Sequence, residues 1–217
     1  MTPPMTLFAI LLGGEAQATP RLLRQLAGAR VIAADSGIVH AAPLGLVPEL
    51  WTGDFDSVAD ATRLDWPDVP TEIHPREKDL TDGEIAVEAA LARGARELLL
   101  VGAFGGPRPD HAFLHLTMAM RLAEAGTPAR LTSGHQEATP LRPGSTAFAD
   151  LPAGTLFSVI AFTDLEGLTI EGARWPLAER FVPFGSSLTL SNEVTGQLAV
   201  NLSAGRAMLV AHIGGEA

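Results

Sequence analysis

Short apolar runs alternate with longer amphipathic stretches through the first 133 residues. The apolar runs have the length of buried strands, and helix start and stop signals punctuate the stretches between them. This alternation is typical of a mainly parallel sheet whose strands are joined by helices. The pattern predicts strands at Leu7–Leu12, Arg30–Ala34, Glu49–Thr52, Thr71–His74, Glu97–Val101 and Ala129–Thr132.

The best-marked helix between these strands is predicted from Asp82 to Arg93. Thr81 and Glu84 have the spacing of a capping box, in which each residue satisfies a free amide of the other. Gly94 then supplies a stop signal. Two further helices are predicted, one at His111–Ala125 and one that begins with Thr19 and Pro20.

After about Gly134 the pattern changes to short β-prone runs separated by Pro, Gly and Asp. Such spacing is typical of an antiparallel sandwich. Strands are expected at Leu156–Ala161, Leu168–Ile170, Ser187–Leu190, Gln197–Leu202 and Ala207–Ala211. The sequence therefore predicts an α/β fold with two domains: a mainly parallel sheet with flanking helices at residues 1–135, and a smaller all-β sandwich at residues 136–217.

The composition narrows the available chemistry. The 217 residues include no cysteine, which excludes disulfides, thiolate catalysis and thiolate metal sites. Oxygen-rich ligand sets are then favoured, and these prefer Mg²⁺ or Mn²⁺. The formal net charge of -10 argues against a nucleic-acid binder, which normally has a basic face.

The apolar run Met5–Leu12 is too short to span a bilayer. No basic residue precedes Arg21, so the run does not resemble a signal peptide either. The sequence therefore predicts a cytoplasmic protein that does not interact with membranes.

Acidic side chains follow three of the predicted strands: Asp54 with Asp56, Asp79 with Asp82, and Asp110. Open parallel sheets place their ligand sites at this edge. Two carboxylates about 4 Å apart repel by roughly 4 kcal/mol at an effective dielectric constant of about 20, so a fold that gathers several normally binds a cation. Taken singly, each motif also fits a turn or a helix cap. Taken together, they predict a metal site.

Groups suited to phosphate lie beside these carboxylates. Lys78 is the only lysine of the chain, although a coding bias toward arginine would also explain its isolation. The helix that starts after Thr81 offers free amides to an anion. Arg108 could clamp a phosphate with two hydrogen bonds, and the glycines within residues 102–106 let a nucleotide lie close to the backbone, although Pro and Gly could equally form a plain loop.

Several common site motifs are absent from the sequence. There is no Gly-x-x-x-x-Gly-Lys-Ser/Thr run, no Gly-x-Gly-x-x-Gly after the first strand, and no Gly-x-Ser-x-Gly elbow. His111 and His115 have the spacing of a helical zinc pair, but no third nitrogen ligand is indicated. A phosphate site of another type is therefore expected.

The order and spacing of these motifs resemble the thiamine pyrophosphokinase family, also called thiamine diphosphokinase. The resemblance is carried by Ala34–Gly37, Gly53–Ser57, Lys78–Asp82, Gly105–His111, Gly172–Leu177 and Ser191–Glu193. The first four segments span most of the first domain, and the last two look like the family's thiamine-binding segment.

The resemblance implies a homodimer with its active site at the interface, and Mg²⁺-dependent transfer of pyrophosphate from ATP to thiamine, giving thiamine diphosphate and AMP. It implies that the catalytic and metal residues are Asp54, Asp56, Asp79 and Asp82, with Lys78 as a further catalytic group. The implied ATP-binding residues are Asp35, Lys78, Thr81, Arg108, Asp110 and His111, and the implied thiamine-binding residues are Trp175, Ser191 and Asn192.

The chain departs from the family pattern at three places. Ser36 precedes Gly37 where two glycines are usual, Pro107 is extra, and His115 stands where an asparagine is usual. Three other functions stay open: a pyrophosphokinase with another hydroxymethyl acceptor such as a pterin, a metal-dependent nucleotide-sugar transferase, and a non-catalytic nucleotide sensor. The segments around Trp175 and Ser191 favour thiamine over the pterin.

Overall fold

The computed structural model describes residues 6–55, 62, 64–75, 77 and 79–214. The predicted site residues Asp56 and Lys78 lie outside the described residues. Within the described part, the chain forms three α-helices, one 3-10 helix and thirteen strands.

Six strands form a parallel sheet in the order β4-β3-β2-β1-β5-β6. β1 lies between β2 and β5, so that Leu11 is aligned with Ala33 on one side and Val101 on the other. The central strands are almost wholly apolar because both faces of the sheet are covered. The strands are β1 Leu7–Leu11, β2 Arg30–Ala34, β3 Leu50–Gly53, β4 Thr71–Ile73, β5 Glu97–Val101 and β6 Ala129–Thr132, each within one residue of its predicted bounds.

Two of the three described α-helices begin at the predicted start signals. α1 (Pro20–Gln25) is capped by Thr19, whose hydroxyl accepts a hydrogen bond from the Leu22 amide at 3.1 Å. α2 (Asp82–Ala92) has the predicted capping box. α3 (Pro109–Glu124) starts two residues earlier than expected, and the 3-10 helix Asp35–His40 was not predicted. No helix among the described residues is long and apolar enough to cross a membrane.

Alternate residues of the central strands face two separate cores. Phe8 and Ile10 of β1 pack in the core that α2 and α3 cover. Ala9 and Leu11 face the opposite side, where Leu22 of α1 covers them. Burying an aliphatic or aromatic side chain of this size contributes about 1.5–3 kcal/mol, so these two layers hold the ends of the strands in fixed positions.

The sheet continues beyond β6 with antiparallel pairing. β7 pairs with β6, aligning Ala138 with Leu131, and the order then runs through β13, β9, β12, β10 and β11, with β8 also paired to β12. The strands are β7 Gln136–Leu141, β8 Gly144–Phe148, β9 Leu156–Ala161, β10 Leu165–Ala173, β11 Leu177–Val182, β12 Asn192–Leu202 and β13 Ala207–His212.

A third core fills the antiparallel part, where Phe157, Val159 and Leu198 are fully buried. β13 contributes to two cores, because Leu209 points into this third core while Met208 points toward the core beneath α2 and α3. The fold class is therefore confirmed: a parallel first part with flanking helices, followed by a sandwich-like antiparallel part.

One predicted strand is wrong. Ser187–Leu190 forms a turn, in which the Leu190 amide donates to the Ser187 carbonyl at 3.1 Å. β7, β8 and β11 were not predicted. The division into domains at residues 135 and 136 stays a prediction, and hydrogen bonds between β6 and β7 cross that position.

Candidate active site

A cleft of about 520 Å³ opens where β1, β2, β3 and β5 end. Strand order reverses here, since the chain passes from β1 to β2 on one side and returns to β5 on the other. Open α/β sheets bind their ligands at such a point. Six of the predicted site residues line the cleft: Asp35, Asp54, Thr81, Asp82, Arg108 and His111.

Glycines let the segments that follow β1 and β5 touch. The Gly14 amide donates to the Gly102 carbonyl at 2.9 Å, and a Cβ on Gly14 would collide with the carbonyls of Gly102 and Phe104. Gly102 has φ of 75°, a conformation that side chains disfavour. The bare backbone at the base of the cleft leaves room for a ligand.

Unusual backbone conformations occur at Asp35 and directly after Asp54. Asp35 itself has φ of 44°, and Phe55, directly after Asp54, has φ of 60°. Trp51 contacts both Asp35 and Phe55. Its indole N–H donates to the Asp35 carbonyl at 2.8 Å, and its ring packs edge-on against the Phe55 ring with 4.8 Å between the ring centres. Such conformations cost about 1–3 kcal/mol each and are found where surrounding packing compensates. Nothing in the local sequence signals the contribution of Trp51.

The start of α2 brings Asp82 and Gly83 to the cleft. Glu84 accepts hydrogen bonds at 3.1 Å from the Thr81 amide and at 3.0 Å from the Thr81 hydroxyl. The Thr81 hydroxyl in turn accepts from the Glu84 amide at 3.3 Å. The Thr81 side chain is therefore engaged within the capping box, and Asp82 and Gly83 place the start of the helix, a favourable position for an anion, at the cleft.

Asp79 does not line this cleft. It borders a neighbouring depression together with Glu72, His74 and Glu88. Within the described residues, no three histidine or acidic side chains are arranged to hold a metal ion. The predicted four-carboxylate set thus divides into Asp54 and Asp82 in the cleft, Asp79 beside it, and Asp56 outside the described residues.

Arg108 and Asp110 form a paired unit at the start of α3. The Arg108 guanidinium donates to the Asp110 carboxylate at 2.7 and 3.0 Å, and both side chains are 62% exposed. This hydrogen bond is the main reason that the pKa of Asp110 falls to about 2. Asp110 does not line the cleft, so its geometry suits it to orienting Arg108 rather than to touching a ligand.

His111 and His115 of α3 both line the cleft. Their rings lie edge-to-face, with 6.3 Å between the ring centres. His115 is buried, and its Nδ1 lies 3.1 Å from the Ala103 carbonyl oxygen. Burial is the main cause that lowers the pKa of His115. The sequence singled out His115 as a departure from the family pattern but assigned it no role.

The predicted thiamine residues lie in the antiparallel part and do not line the cleft. Trp175 is 55% exposed, and the Arg174 guanidinium lies 5.1 Å from the centre of its ring. Asn192 is buried; its amide N–H donates to the Trp175 carbonyl at 2.8 Å and its oxygen accepts from the Trp175 amide at 3.1 Å. Ser191 has φ of 57°. The contacts of Asn192 suit it to positioning Trp175.

The donor chemistry of the cleft fits a hard divalent cation. Asp54 and Asp82 contribute carboxylate oxygens, the chain has no cysteine sulfur, and of the two lining histidines His115 already contacts the Ala103 carbonyl through Nδ1. Oxygen ligands prefer Mg²⁺, which typically binds through one or two carboxylates together with substrate phosphates. A cation that also binds substrate phosphates needs fewer protein ligands than a cation that is fully enclosed by protein.

Two family models match the chain. The model described as thiamin pyrophosphokinase, catalytic domain, matches residues 24–131. The model described as thiamin pyrophosphokinase, vitamin B1 binding domain, matches residues 148–209. Together they cover more than three quarters of the chain.

Curated and solved relatives agree with these models. A thiamine pyrophosphokinase from Bacillus subtilis (strain 168) is 27% identical over 166 residues, which cover 75% of this chain and 77% of the relative. The crystal structure of thiamine pyrophosphokinase from Bacillus subtilis matches with a TM-score of 0.83 at 24% identity, covering 96% of this chain and 99% of the other. That of thiamin pyrophosphokinase from Geobacillus thermodenitrificans has a TM-score of 0.77 at 26% identity, covering 96% and 97%.

Proposed function

The chain belongs to the thiamin pyrophosphokinase family, and we infer from this membership that it transfers the pyrophosphoryl group of ATP to the hydroxyl of thiamine, giving thiamine diphosphate and AMP. The main structural support for placing this reaction in the cleft is that Asp54, Asp82 and Arg108 all line it at the ends of the parallel strands. Carboxylates for a cation and a guanidinium for phosphate are the groups that this reaction requires.

In this proposal Mg²⁺ is held by Asp54 and Asp82, with Asp56 and Asp79 as further predicted ligands. An ion held there would supply positive charge that offsets the charge of the phosphate oxygens. Mn²⁺ has the same preference for oxygen ligands and is an alternative ion.

The chain's own groups bind and orient the triphosphate. The Gly83 amide at the start of α2 and the guanidinium of Arg108 supply hydrogen-bond donors, and Asp110 keeps the guanidinium in one orientation. Lys78, predicted from the sequence, would add a compact positive charge. Asp35 and His111 line the same cleft and are proposed to contact the nucleotide.

The chemical step is an in-line displacement. The thiamine hydroxyl oxygen forms a bond to the β-phosphorus, while the bond from that phosphorus to the oxygen bridging the α- and β-phosphates breaks and AMP departs with its electron pair. The hydroxyl proton passes to a nearby carboxylate or to solvent. Alignment of the bound reactants can lower the barrier by roughly 7–11 kcal/mol, so catalysis depends mainly on positioning and charge.

Thiamine is proposed to bind against the exposed face of Trp175, with Ser191 beside it and Asn192 fixing the backbone of Trp175. A cation over such a ring gains about 0.5–2 kcal/mol. Because these residues do not line the nucleotide cleft of the same chain, the proposal places them in the site of a second copy, in a homodimer. Exposed apolar side chains in the chain segment between Trp175 and Ser191 support such an interface: Phe181, Phe184, Leu188 and Leu190. A cytoplasmic location, with access to ATP, completes the proposal.

Product analysis tests the reaction directly. Purified protein is incubated with ATP, Mg²⁺ and thiamine, and AMP is resolved from ADP and thiamine diphosphate from the monophosphate. AMP with thiamine diphosphate is the expected result. ADP with the monophosphate would place the attack on the γ-phosphorus instead. ATP binding without any thiamine product would point to another acceptor, such as a hydroxymethyl pterin, or to a nucleotide sensor.

A further inference from the structure

The segment that follows β1 pairs with the segment that follows β5. The Glu15 amide donates to the Phe104 carbonyl at 2.7 Å, and the two residues form an isolated β-bridge. Phe104 is followed by Gly105 and Gly106, and both of these glycines line the cleft. Glu15 is not a lining residue of the cleft and borders a neighbouring depression instead. It therefore contacts this wall of the cleft without lining it.

The Glu15 side chain packs on the two glycines. Its Oε1 accepts a hydrogen bond from the Gly106 amide at 3.3 Å. A Cβ on Gly105 would lie 2.5 Å from the Glu15 Cδ, which is too close for any side chain at that position. The Glu15 carboxylate therefore occupies the space that a side chain on Gly105 would need.

The two glycines depend on such a restraint. Gly105 has φ of 69° and Gly106 has φ of 76°, a region that residues with side chains disfavour. Glycine loses more conformational freedom on folding than any other residue, so a loop with two glycines in succession is not ordered by its own sequence. Glu15 supplies a contact from 91 positions earlier in the chain, which fixes the loop against the end of β1.

The loop leads directly to Arg108. Only Pro107 separates Gly106 from Arg108, and all three residues line the cleft. Pro107 has no amide N–H, and the Gly106 amide donates to Glu15, so both backbone positions are unsuited to binding a phosphate. A phosphate at this wall would depend on the Arg108 guanidinium, and the position of Arg108 depends on the loop that precedes it.

We propose that Glu15 is a positioning residue, which holds the Gly105–Gly106 loop so that Arg108 is placed to bind the phosphates of ATP. This inference rests on the proposed use of ATP and on the proposed role of Arg108. Glu15 acts through Arg108 and does not touch the nucleotide. The contact requires a hydrogen-bond acceptor at the reach of a glutamate side chain and not a negative charge as such, because a backbone amide also donates to an amide oxygen.

Three substitutions separate the reach of the side chain from its charge. Glu15→Gln keeps the length and an oxygen that accepts from the Gly106 amide. Glu15→Asp keeps the charge but is one methylene too short, and Glu15→Ala removes both. Thermal unfolding of each variant shows whether it is folded.

The measurement is the dissociation constant of the Mg²⁺ complex of ATP in the absence of thiamine. Glu15→Ala and Glu15→Asp should bind it about three- to tenfold more weakly than the wild type, the range expected for one net hydrogen bond. Glu15→Gln should recover most of the affinity that Glu15→Ala loses.

A double-mutant cycle with Arg108→Gln tests whether Glu15 acts through Arg108. Glu15→Ala should weaken ATP binding by the full factor when Arg108 is present, but by less than about twofold when Arg108 is already replaced. A residue that only stabilises the fold would weaken binding by the same factor in both backgrounds.

The inference is overturned if Glu15→Ala, while folded, binds ATP as the wild type does, if its effect is the same in both backgrounds, or if Glu15→Asp binds as well as Glu15→Gln. Formation of thiamine diphosphate by the wild type is scored separately. Coupling between Glu15 and Arg108 in a protein that forms no thiamine diphosphate would contradict the proposed function and leave this inference standing. Formation of thiamine diphosphate without such coupling would do the reverse.

Discussion

The guanidinium of Arg21 in α1 donates hydrogen bonds to both carboxylate oxygens of Glu137 in β7, at 2.6 and 2.8 Å. Both side chains are 15% exposed. The same guanidinium bonds Asp150 at 2.7 Å, and Gln25 adds a hydrogen bond to Glu137 at 2.8 Å. This network joins the helix layer of the parallel part to the antiparallel part.

Arg21→Met should lower the free energy of unfolding by about 2–3 kcal/mol, because it leaves the largely buried Glu137 carboxylate without its cation. Denaturant unfolding measures this. Arg206→Met is the matched control: its pair with Glu124 is equally short at 2.6 Å, but the two side chains are 54% and 42% exposed, so less than about 1 kcal/mol should be lost. Equal losses in the two variants would refute a special role for the Arg21 network.

Trp51→Phe should weaken both the fold and the nucleotide site. Phenylalanine keeps the apolar ring but loses the indole N–H, so the Asp35 carbonyl loses a hydrogen-bond donor at a cost of about 1–3 kcal/mol. Because Asp35 lines the cleft in a strained conformation, the KM for ATP should also rise. The control is Trp66→Phe, since Trp66 packs against the same core and does not line the cleft. A KM that changes equally in both variants would argue against the role of Trp51.

Asp54→Asn should reduce kcat at least about a hundredfold, because it removes a charge from the proposed metal ligands and such an ion supplies several kcal/mol to the transition state. Asp56→Asn, at the neighbouring predicted ligand, should have a similar effect. Circular dichroism and thermal unfolding establish whether the fold is intact. A folded Asp54→Asn variant with near-normal turnover would remove this residue from the proposed site.

The Arg108–Asp110 pair should persist to unusually low pH. Its hydrogen bond holds the pKa of Asp110 at about 2, against an ordinary value of 3.8. A depressed carboxylate pKa stabilises the folded state above about pH 4 and loses that effect as the pH falls through about 2, so Asp110 does not titrate in the neutral range. NMR titration of the Asp110 carboxyl carbon should show this midpoint in the wild type and one near 3.8 in Arg108→Gln. An unchanged midpoint in the variant would show that Arg108 is not the cause.

Local signals explain which parts of the structure could be predicted. Thr81 and Glu84 are three positions apart, and the capping box between them depends only on that spacing, so the start of α2 was predicted correctly. The strands of the parallel part are continuous apolar runs, which makes them visible in the sequence. The six predicted residues that line the cleft lie at the ends of these strands and at the starts of α2 and α3, so their positions could be predicted as well.

Long-range pairing explains the rest. β7 contains Gln136, Glu137 and Pro140, and it is a strand because β6 and β13 lie on either side of it. Ser187–Leu190 has β-prone residues and contacts β9 through Thr189, whose carbonyl accepts from the Val159 amide at 2.9 Å, but the segment closes into a turn instead of extending along β9. The support that Trp51 gives to Asp35, and the position of Asp79 outside the main cleft, depend on three-dimensional contacts that no local motif records.

The proposed assembly of one site from two chains predicts complementation between two defective variants. Asp54→Asn disables the nucleotide half of a site, and Trp175→Ala disables the thiamine half. In a mixed dimer one of the two sites combines the intact Asp54 of one chain with the intact Trp175 of the other, so mixing should restore about half of the wild-type activity per mixed dimer.

The variants are given different affinity tags, unfolded and refolded together, and the mixed dimer is purified through both tags before thiamine diphosphate is assayed. Recovery should be absent when each variant is refolded alone. If both halves of the site belong to one chain, the mixed dimer has no intact site and its activity will not exceed that of Trp175→Ala. Light scattering on the same samples must show a dimer, and a monomeric but active wild type would contradict the proposed assembly outright.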